Sequence, residues 1–449
     1  MSVFACLDWR RVGAILGLIF LSTTLNVPEA SALPLFARQT GQQCAACHNG
    51  FPELTPYGRL FKMNGYTFGG GQSSLPPVST MVVGSFTKTQ KDQAGGAAPH
   101  YAANDNASLD TISLFYGGAL TSHIGAFVQG TYDNDGRAFT WDNVDIRFAN
   151  TTELLGKETV FGVSANNNPT MSDVWNTTPA WGYPYLSSGL APTPAASTLI
   201  EGTYAQQVAG LSAYTFWNSL VYAEIGGYST LTKGMDSALG VNPAGTTSFR
   251  GLAPYWRLAL QPAWGSNTLE IGTFGMAATL NPGRVTGSGV DHAVDIGFDT
   301  QYQYMTPTDS FSAQASYIIE NQSLGGSQAM GLATSGRENL RSLHVKGTYY
   351  YDQTYGATLG YFRLQGGSES GLFSADAANG SPDSSGYSAE VNYIPFNHGG
   401  PDTWPWLNVK LGLQYVYYDK FNGSRTNFDG AGGNAVDNNT VFTYAWFAF

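Results

Sequence analysis

Short segments in which apolar and polar residues alternate recur from about Ser79 to the end of this 449-residue chain. The alternation is clearest in residues 311–320, 342–351 and 409–419. Successive side chains of a strand point to opposite faces, so each segment predicts a strand with one apolar and one polar face. We count roughly sixteen such segments, a pattern typical of a transmembrane antiparallel β-barrel that is apolar outside and polar inside.

The composition favours the same mainly β architecture. Charged residues make up only 12% of the chain, aromatic residues make up 14%, and there are 55 glycines. After the N-terminal segment, no apolar run is long enough for a membrane-spanning helix. A soluble β-sandwich or β-helix is the alternative, but its exposed faces would carry more charge. The Gly-, Ser- and Pro-rich insertions at 166–197 and 366–385 are expected to be extracellular loops.

The first 32 residues have the features of a secretory signal peptide. Two arginines precede the apolar stretch 12–21, which is too short to span a bilayer, and an Ala-Ser-Ala cleavage site occupies residues 30–32. The chain ends on an aromatic segment, residues 439–449, which looks like the C-terminal signal of outer-membrane barrels. We therefore expect export to the cell outer membrane. The net charge of −11 argues against nucleic acid as a partner.

Residues 33–77 differ from the alternating region and predict a small α-containing domain ahead of a barrel at 78–449. Thr55 as N-cap and Pro56 at the first helical position predict a short helix that ends near Gly65. Some forty residues are too few for an independent core. We therefore expect this small domain to pack against something larger.

The run from Cys44 through Cys47 to His48 has the form Cys-x-x-Cys-His, which is typical of c-type haem attachment. Two thiols on one turn can each form a thioether to a haem vinyl group, and the following His can ligate the iron. The third cysteine, Cys6, falls within the signal peptide. We expect one covalent haem c. A redox disulfide between Cys44 and Cys47 is the alternative, whereas a zinc site would need further ligands at close spacing.

Several residues near the motif have two interpretations. Met63 is either the distal haem ligand or a packing residue of the small helix, and an open or water-filled distal position is a further alternative. Arg38, Arg59 and Lys62 either bind haem propionates or form ordinary surface ion pairs. In the barrel region, His344 could reach a haem held inside, although a solvated or lumen-lining role is the ordinary one. Four aspartates suggest either a metal-uptake site or a solvated turn, namely Asp133, Asp135, Asp142 and Asp145.

A family resemblance rests on residues 32–41, on the motif at 44–48, and on residues shortly after it. The last group comprises Phe51–Thr55, Gly58, Arg59, Phe61, Lys62 and Gly65–Thr67. These residues resemble the fused monohaem cytochrome c–porins of iron-oxidising bacteria. The resemblance implies a small N-terminal cytochrome that plugs a C-terminal barrel of about 16 strands. It also implies that Cys44 and Cys47 tether the haem and that His48 ligates it.

Together these features predict a conduit that carries electrons across the outer membrane. The expected donor is extracellular Fe(II), the expected acceptor is a periplasmic electron-carrier cytochrome, and the electron would enter at a haem edge near the outer face. Such a protein would be an Fe(II):cytochrome c oxidoreductase. Two alternatives stay open: a plugged porin or transporter in which the haem senses or gates, and electron transfer outward to an extracellular acceptor.

Overall fold

The computed structural model describes residues 35–69, 77–134, 137–202, 204–241, 247–400 and 406–449. The expected signal peptide and Asp135 lie outside these residues. The helices are α1 Leu35–Thr40, α2 Cys44–Cys47, α3 Pro56–Met63, α4 Lys233–Ala238, α5 Gly325–Ala329 and α6 Ser370–Phe373. Within the described part of the chain, no helix is both long enough and apolar enough to cross a membrane.

The remaining regular structure is one antiparallel sheet. Its segments are β1 Val78–Thr89, β2 Asn106–Ala119, β3 Ile124–Asp133, β4 Ala138–Leu154, β5 Lys157–Asn166, β6 Val208–Trp217, β7 Val221–Thr230, β8 Ser248–Phe249, β9 Ala253–Leu260, β10 Ala263–Trp264, β11 Asn267–Asn281, β12 Asp291–Met305, β13 Asp309–Ser323, β14 Arg337–Tyr351, β15 Tyr355–Gly366, β16 Ser384–Tyr393, β17 Asn408–Lys420 and β18 Thr440–Ala448. The two-residue segments β8 and β10 flank β9 and pair with the same strand, β11. Because β1 pairs with both β2 and β18, the sheet closes on itself. The result is the predicted closed barrel of 16 strands.

The predicted alternation sets the two faces of the wall. On β12, Asp295 and Asp299 point into the barrel and are buried, whereas Ile296 and Phe298 between them point outward and are exposed. Leu359 of β15 is 71% exposed. An apolar exterior around a polar interior is the arrangement of a membrane barrel. It excludes the soluble sandwich that the sequence left as an alternative.

The two ends of the barrel differ in the length of their connections. At one end the turns are short, for example residues 120–123, 155–156 and 352–354. At the other end the connections include 90–105 and 367–383. We call these the short-turn end and the long-loop end. In outer-membrane barrels, short turns face the periplasm and longer loops face outward.

Residues 35–69, which we call the plug, lie inside the barrel. Helix α3 begins as predicted, because the Thr55 hydroxyl accepts a hydrogen bond from the Gly58 amide at 3.1 Å. Gly65 follows the helix with φ of +67°, a conformation that favours glycine. The carbonyl of Met63 accepts a hydrogen bond from the hydroxyl of Tyr214 on β6. The plug is therefore bound directly to the inner wall.

The connection from β5 to β6, residues 167–207, departs from expectation. Its first part was predicted to be an extracellular loop, but the structure folds it into the lumen. Trp175 is fully buried and donates its indole N–H to Gln261 at 2.7 Å. Asp173 lies 3.4 Å from the buried guanidinium of Arg257. The Gly- and Pro-rich composition of this connection predicts irregular structure, but it cannot show which side of the wall the chain follows.

Candidate functional site

The Cys-x-x-Cys-His motif is held in a compact turn by its own backbone. The His48 amide donates to the Cys44 carbonyl at 2.9 Å, which places both cysteines on one helical turn, α2. Thr55 then closes the loop, because its amide donates to the Cys47 carbonyl at 2.9 Å and its hydroxyl donates to the Ala46 carbonyl at 2.6 Å. The motif and the start of α3 thus form one local unit.

This unit lies at the short-turn end of the barrel. The Ala45 amide donates to the carbonyl of Asn397, in the connection between β16 and β17. The Gly50 amide donates to Gln353, in the turn between β14 and β15. Gly50 has φ of +67°, and any Cβ there would overlap the ring of Tyr350. The expected position near the outer face therefore does not match the structure, which puts the motif near the end that faces the periplasm in barrels of this class.

The imidazole of His48 is oriented by a backbone carbonyl. Its Nδ1 lies 3.1 Å from the carbonyl oxygen of Pro52. A carbonyl can only accept, so Nδ1 carries the proton and the lone pair of Nε2 is available to a metal. A metal-binding histidine is commonly oriented in this way. Burial lowers the pKa of His48 to about 4, which keeps the ring neutral. The ring of Phe51 packs against it, with 4.8 Å between centroids.

Both thiols of the motif are free, not joined in a disulfide. Burial raises the pKa of Cys44 to about 11 and, together with the neighbouring Cys44, raises that of Cys47 to about 12. Both groups are therefore neutral thiols at physiological pH. Cys44, Cys47 and His48 line the same space, which we call the motif cavity.

The motif cavity has a volume of about 530 Å³, within the range of cofactor and ligand sites. It lies between the plug and the wall formed by β17, β18, β1, β2, β3 and β4. Its lining includes seven Phe and Trp side chains, namely Phe36, Phe51, Phe61, Phe115, Phe127, Trp181 and Trp446. The imidazole of His48, the paired thiols and the aromatic side chains together fit a covalently attached haem.

A second cavity of about 460 Å³ lies toward the long-loop end, and we call it the outer cavity. Part of the inward-folded connection, residues 176–188, separates the two spaces, and Pro184 lines both of them. Tyr183 lines the outer cavity and Tyr185 lines the motif cavity. The centroids of these two rings are only 5.7 Å apart. The partition is thus one pair of aromatic rings thick at this point.

Glu53 is the main polar anchor of the plug, and sequence reasoning did not single it out. Its buried carboxylate accepts hydrogen bonds from Lys346 at 2.8 Å, from Gln303 at 2.9 Å and from Ser312 at 3.0 Å. All three partners project from the barrel wall. The ammonium of Lys346 also donates to the hydroxyl of Tyr185, so one ion pair ties the plug, the wall and the partition together. A lone acidic residue in an apolar stretch was the only sequence signal.

The two arginines predicted to bind propionates both donate hydrogen bonds to the barrel wall. Arg59 is fully buried and donates to Gln301 at 2.9 Å and to Gln303 at 2.6 Å, both on β12. Arg38 donates to the carbonyl of Val78 at 2.7 Å, where β1 begins. Neither side chain is among those that line the motif cavity. Both lie on the faces of the plug that meet the wall, so a propionate role for them lacks structural support.

Met63 also lies away from the motif cavity. Its side chain is fully buried in an apolar cluster with Val174, Trp175 and Tyr214. This placement favours the packing interpretation over the distal-ligand interpretation. Lys62 does line the cavity, but its ammonium donates to the carbonyls of Met171 and Asp173.

The other candidates are dispersed. Asp142 and Asp145 lie on β4, not on a turn, and the buried Asp145 pairs with Arg147 at 2.7 Å. In the described part of the chain, no three His, Cys, Asp or Glu side chains are placed to hold a metal ion together. His344 lines the outer cavity, where its Nε2 lies 3.2 Å from a carboxylate oxygen of Glu201. It does not reach the motif cavity.

No protein-family model matches this chain, and no curated protein matches its sequence. Solved structures that are similar include OmpF of Salmonella typhi in complex with daunomycin, at 12% identity over 83% of this chain and 97% of that chain, with a TM-score of 0.47. The outer membrane channel DcaP of Acinetobacter baumannii is 13% identical over 83% and 97% of the two chains, with a TM-score of 0.45. An anion-selective porin from Comamonas acidovorans is 12% identical over 83% and 99%, with a TM-score of 0.44. Similarities this weak carry no argument about function, and the porin-like barrel is established by its own strand pairing.

Proposed function

We propose that this chain is an outer-membrane cytochrome–porin that moves electrons across the membrane through one haem c bound at Cys44, Cys47 and His48. The observation that carries the proposal is that these three side chains line a single aromatic cavity inside a closed barrel. A barrel alone passes solutes. A redox centre enclosed in its lumen provides a path for electrons through a layer that is otherwise insulating.

The residues of the site have separate tasks. Cys44 and Cys47 tether the group, and His48 presents Nε2 because the Pro52 carbonyl holds its other nitrogen. Haem c supplies a centre that gains and loses one electron. The aromatic walls exclude water, and this lowers the local dielectric that tunes the potential of the centre. The Glu53–Lys346 pair keeps the plug seated against the wall.

Two features favour inward transfer from Fe(II). The outer cavity lies toward the long-loop end and offers Glu201 and His344, which carry the oxygen and nitrogen donors that suit ferrous iron as a substrate. The motif lies at the short-turn end, within reach of a periplasmic electron-carrier cytochrome. The resemblance to cytochrome–porins of iron oxidisers points the same way.

The alternative function, a plugged transporter, requires an open path for solutes through the lumen. Solute passage would require the plug and the inward connection to move aside. Both are tied to the wall by buried hydrogen bonds, of which those of Arg59 and Trp175 are examples. We therefore favour electron transfer, and conduction of solutes becomes a measurable outcome of the same experiment.

The test uses the full chain in liposomes loaded with oxidised soluble cytochrome c, with Fe(II) added outside. We expect one covalent haem per chain and reduction of the enclosed carrier. A Cys44→Ala/Cys47→Ala variant should form the barrel but transfer no electrons. A wild-type protein without covalent haem would overturn the proposal. Haem that Fe(II) does not reduce would remove the ferrous donor, and rapid sucrose uptake by the wild type would favour the transporter.

A further inference from the structure

Met81 is the sulfur-containing side chain that the barrel wall contributes to the motif cavity. It lies on β1, two residues before Val83, and both side chains point into the lumen. Met81 lines the cavity together with His48. It packs in a cluster with Phe51 and Trp446. The Phe51 ring lies 4.8 Å from the His48 ring and 4.8 Å from the Trp446 ring, centroid to centroid. One aromatic ring therefore links the surroundings of Met81 directly to those of His48.

The cationic groups that line the cavity already have partners. The Lys62 ammonium donates to the carbonyls of Met171 and Asp173, at 2.9 and 2.7 Å. The Lys410 ammonium donates to the carbonyl of Phe51 at 3.2 Å and lies 3.4 Å from the carboxylate of Glu390. An amine bound in this way would have to leave buried acceptors unsatisfied before it could ligate a metal, which is costly.

The hydroxyl groups of the tyrosines that line the cavity also form hydrogen bonds with other residues. Tyr66 donates its hydroxyl to the buried carboxylate of Asp145, and the hydroxyl of Tyr185 receives the Lys346 ammonium and lies 3.3 Å from Glu53. Burial raises the pKa of both phenols above their ordinary value, so neither is a ready phenolate ligand.

The aspartates are also bound. Asp142 accepts from Thr131 at 3.0 Å and from Gln206 at 3.1 Å. Asp173 accepts the amide of Trp175 at 3.0 Å and lies 3.4 Å from a buried guanidinium. Among the described lysine, tyrosine, aspartate and methionine side chains that line the cavity, the thioether of Met81 is the metal-binding donor with no polar partner to give up.

We propose that Met81 would ligate the haem iron together with His48. The inference rests on the proposed function, since it needs the haem to be present. The wall then supplies one ligand and the plug supplies the other, so assembly of the barrel around the plug completes the coordination. A thioether favours reduced iron, and Met/His ligation raises the haem potential. A raised potential suits a centre that must take electrons from Fe(II).

Met63 provides the matched control. It is the methionine nearest the motif in sequence, but it is buried in a different cluster with Val174 and Trp175. Replacing either methionine with leucine nearly conserves volume, so both variants should keep the fold, which heat-modifiable migration of the barrel on gels verifies. Any difference between them then reports ligation rather than packing.

The experiment compares full-length wild type, Met81→Leu and Met63→Leu in detergent, by haem content, ferric absorption spectrum and midpoint potential. We expect the long-wavelength sulfur-to-iron charge-transfer band in the wild type and in Met63→Leu. Met81→Leu should lose the band entirely and shift the midpoint potential in the negative direction, with haem content unchanged. A further variant, Met81→His, should show the spectrum of bis-histidine haem, because only a position within reach of the iron can replace one ligand with another.

The inference is overturned if the wild type lacks the band, if Met81→Leu keeps it, or if Met63→Leu loses it instead. Any of these results with covalent haem and Fe(II)-dependent reduction intact would leave the proposed function standing. Absence of covalent haem in the wild type would overturn both.

Discussion

The buried pair of Glu53 and Lys346 gives the sharpest test of how the plug is held. In Glu53→Gln the carboxylate is replaced by a neutral amide of the same size, which leaves the Lys346 ammonium buried without its counter-charge, since the two side chains are 1% and 4% exposed. Breaking a buried pair on one side costs about 3–5 kcal/mol. We expect that cost to appear as weaker docking of the plug, because Lys346, Gln303 and Ser312, which donate to the Glu53 carboxylate, all lie on the barrel wall.

Limited proteolysis of the plug in the folded barrel measures this free energy. When the plug opens and closes faster than it is cut, the cleavage rate follows the open population. A loss of about 3–5 kcal/mol predicts cleavage faster by about a hundredfold to about four-thousandfold, since every 1.4 kcal/mol is tenfold. The double variant Glu53→Gln/Lys346→Met removes both charges and should restore most of the protection.

The pKa of Glu53 determines how the stability of plug docking should change with pH. Burial acts to raise the pKa of Glu53, but the charge of Lys346 and the hydrogen bonds outweigh it and hold the pKa below its ordinary value of 4.5. The carboxylate therefore stabilises docking above pH 4.5, and that contribution is lost as the pH falls through the lowered folded pKa. Glu53→Gln should lack this acid-dependent step. An increase in cleavage below about threefold, the level of an exposed ion pair, would refute the reasoning.

Three further predictions concern the wall and the motif. Arg257→Met leaves three buried carboxylates near it without their cation and should lower the free energy of unfolding by about 3–5 kcal/mol in a urea titration, whereas Arg257→Lys should cost less. Gly58→Ala places a Cβ 2.2 Å from the Cys47 carbonyl and should reduce the yield of covalent haem on a haem-stained gel, since the two helices must move apart; an unchanged yield would show that the contact relaxes freely. Burial raises the pKa of Cys44 from its ordinary value of 9.0 to about 11. In haem-free protein, this thiol should therefore be alkylated at pH 8 about a hundredfold more slowly than in the urea-unfolded chain. Equal alkylation rates in the folded and unfolded chain would contradict the burial of Cys44.

The barrel was largely predictable because its signal is local. Alternation of apolar and polar residues along one strand indicates which face of that strand meets lipid. Strands β13, β14 and β17 follow the predicted alternation. The cap of helix α3 was predictable for the same reason, since Thr55 and Gly58 are three residues apart. In each case the physical cause acts between near neighbours in the chain.

The roles of individual buried residues were not predictable in this way. The propionate role predicted for Arg59 rests on its position near the motif in sequence, whereas its hydrogen-bond partners on β12, more than 240 positions away, are visible only in the structure. The inward course of residues 167–207 depends on whether Trp175 finds a buried acceptor, Gln261, across the lumen. Acidic and basic residues both line the inner wall, and composition does not show which of them form ion pairs.

The sequence by itself determined the membrane barrel, the short capped helix and the Cys-x-x-Cys-His attachment pattern, because each depends on residues that are only a few positions apart in the chain. Only the tertiary structure decided where the motif lies along the barrel, that Met63 faces away from it, and that Met81 of the wall shares its cavity. The physical reason is that burial and contact across the lumen depend on the closure of the sheet around the plug. Closure brings β1 and the motif together although residues 49–77 separate them in the chain.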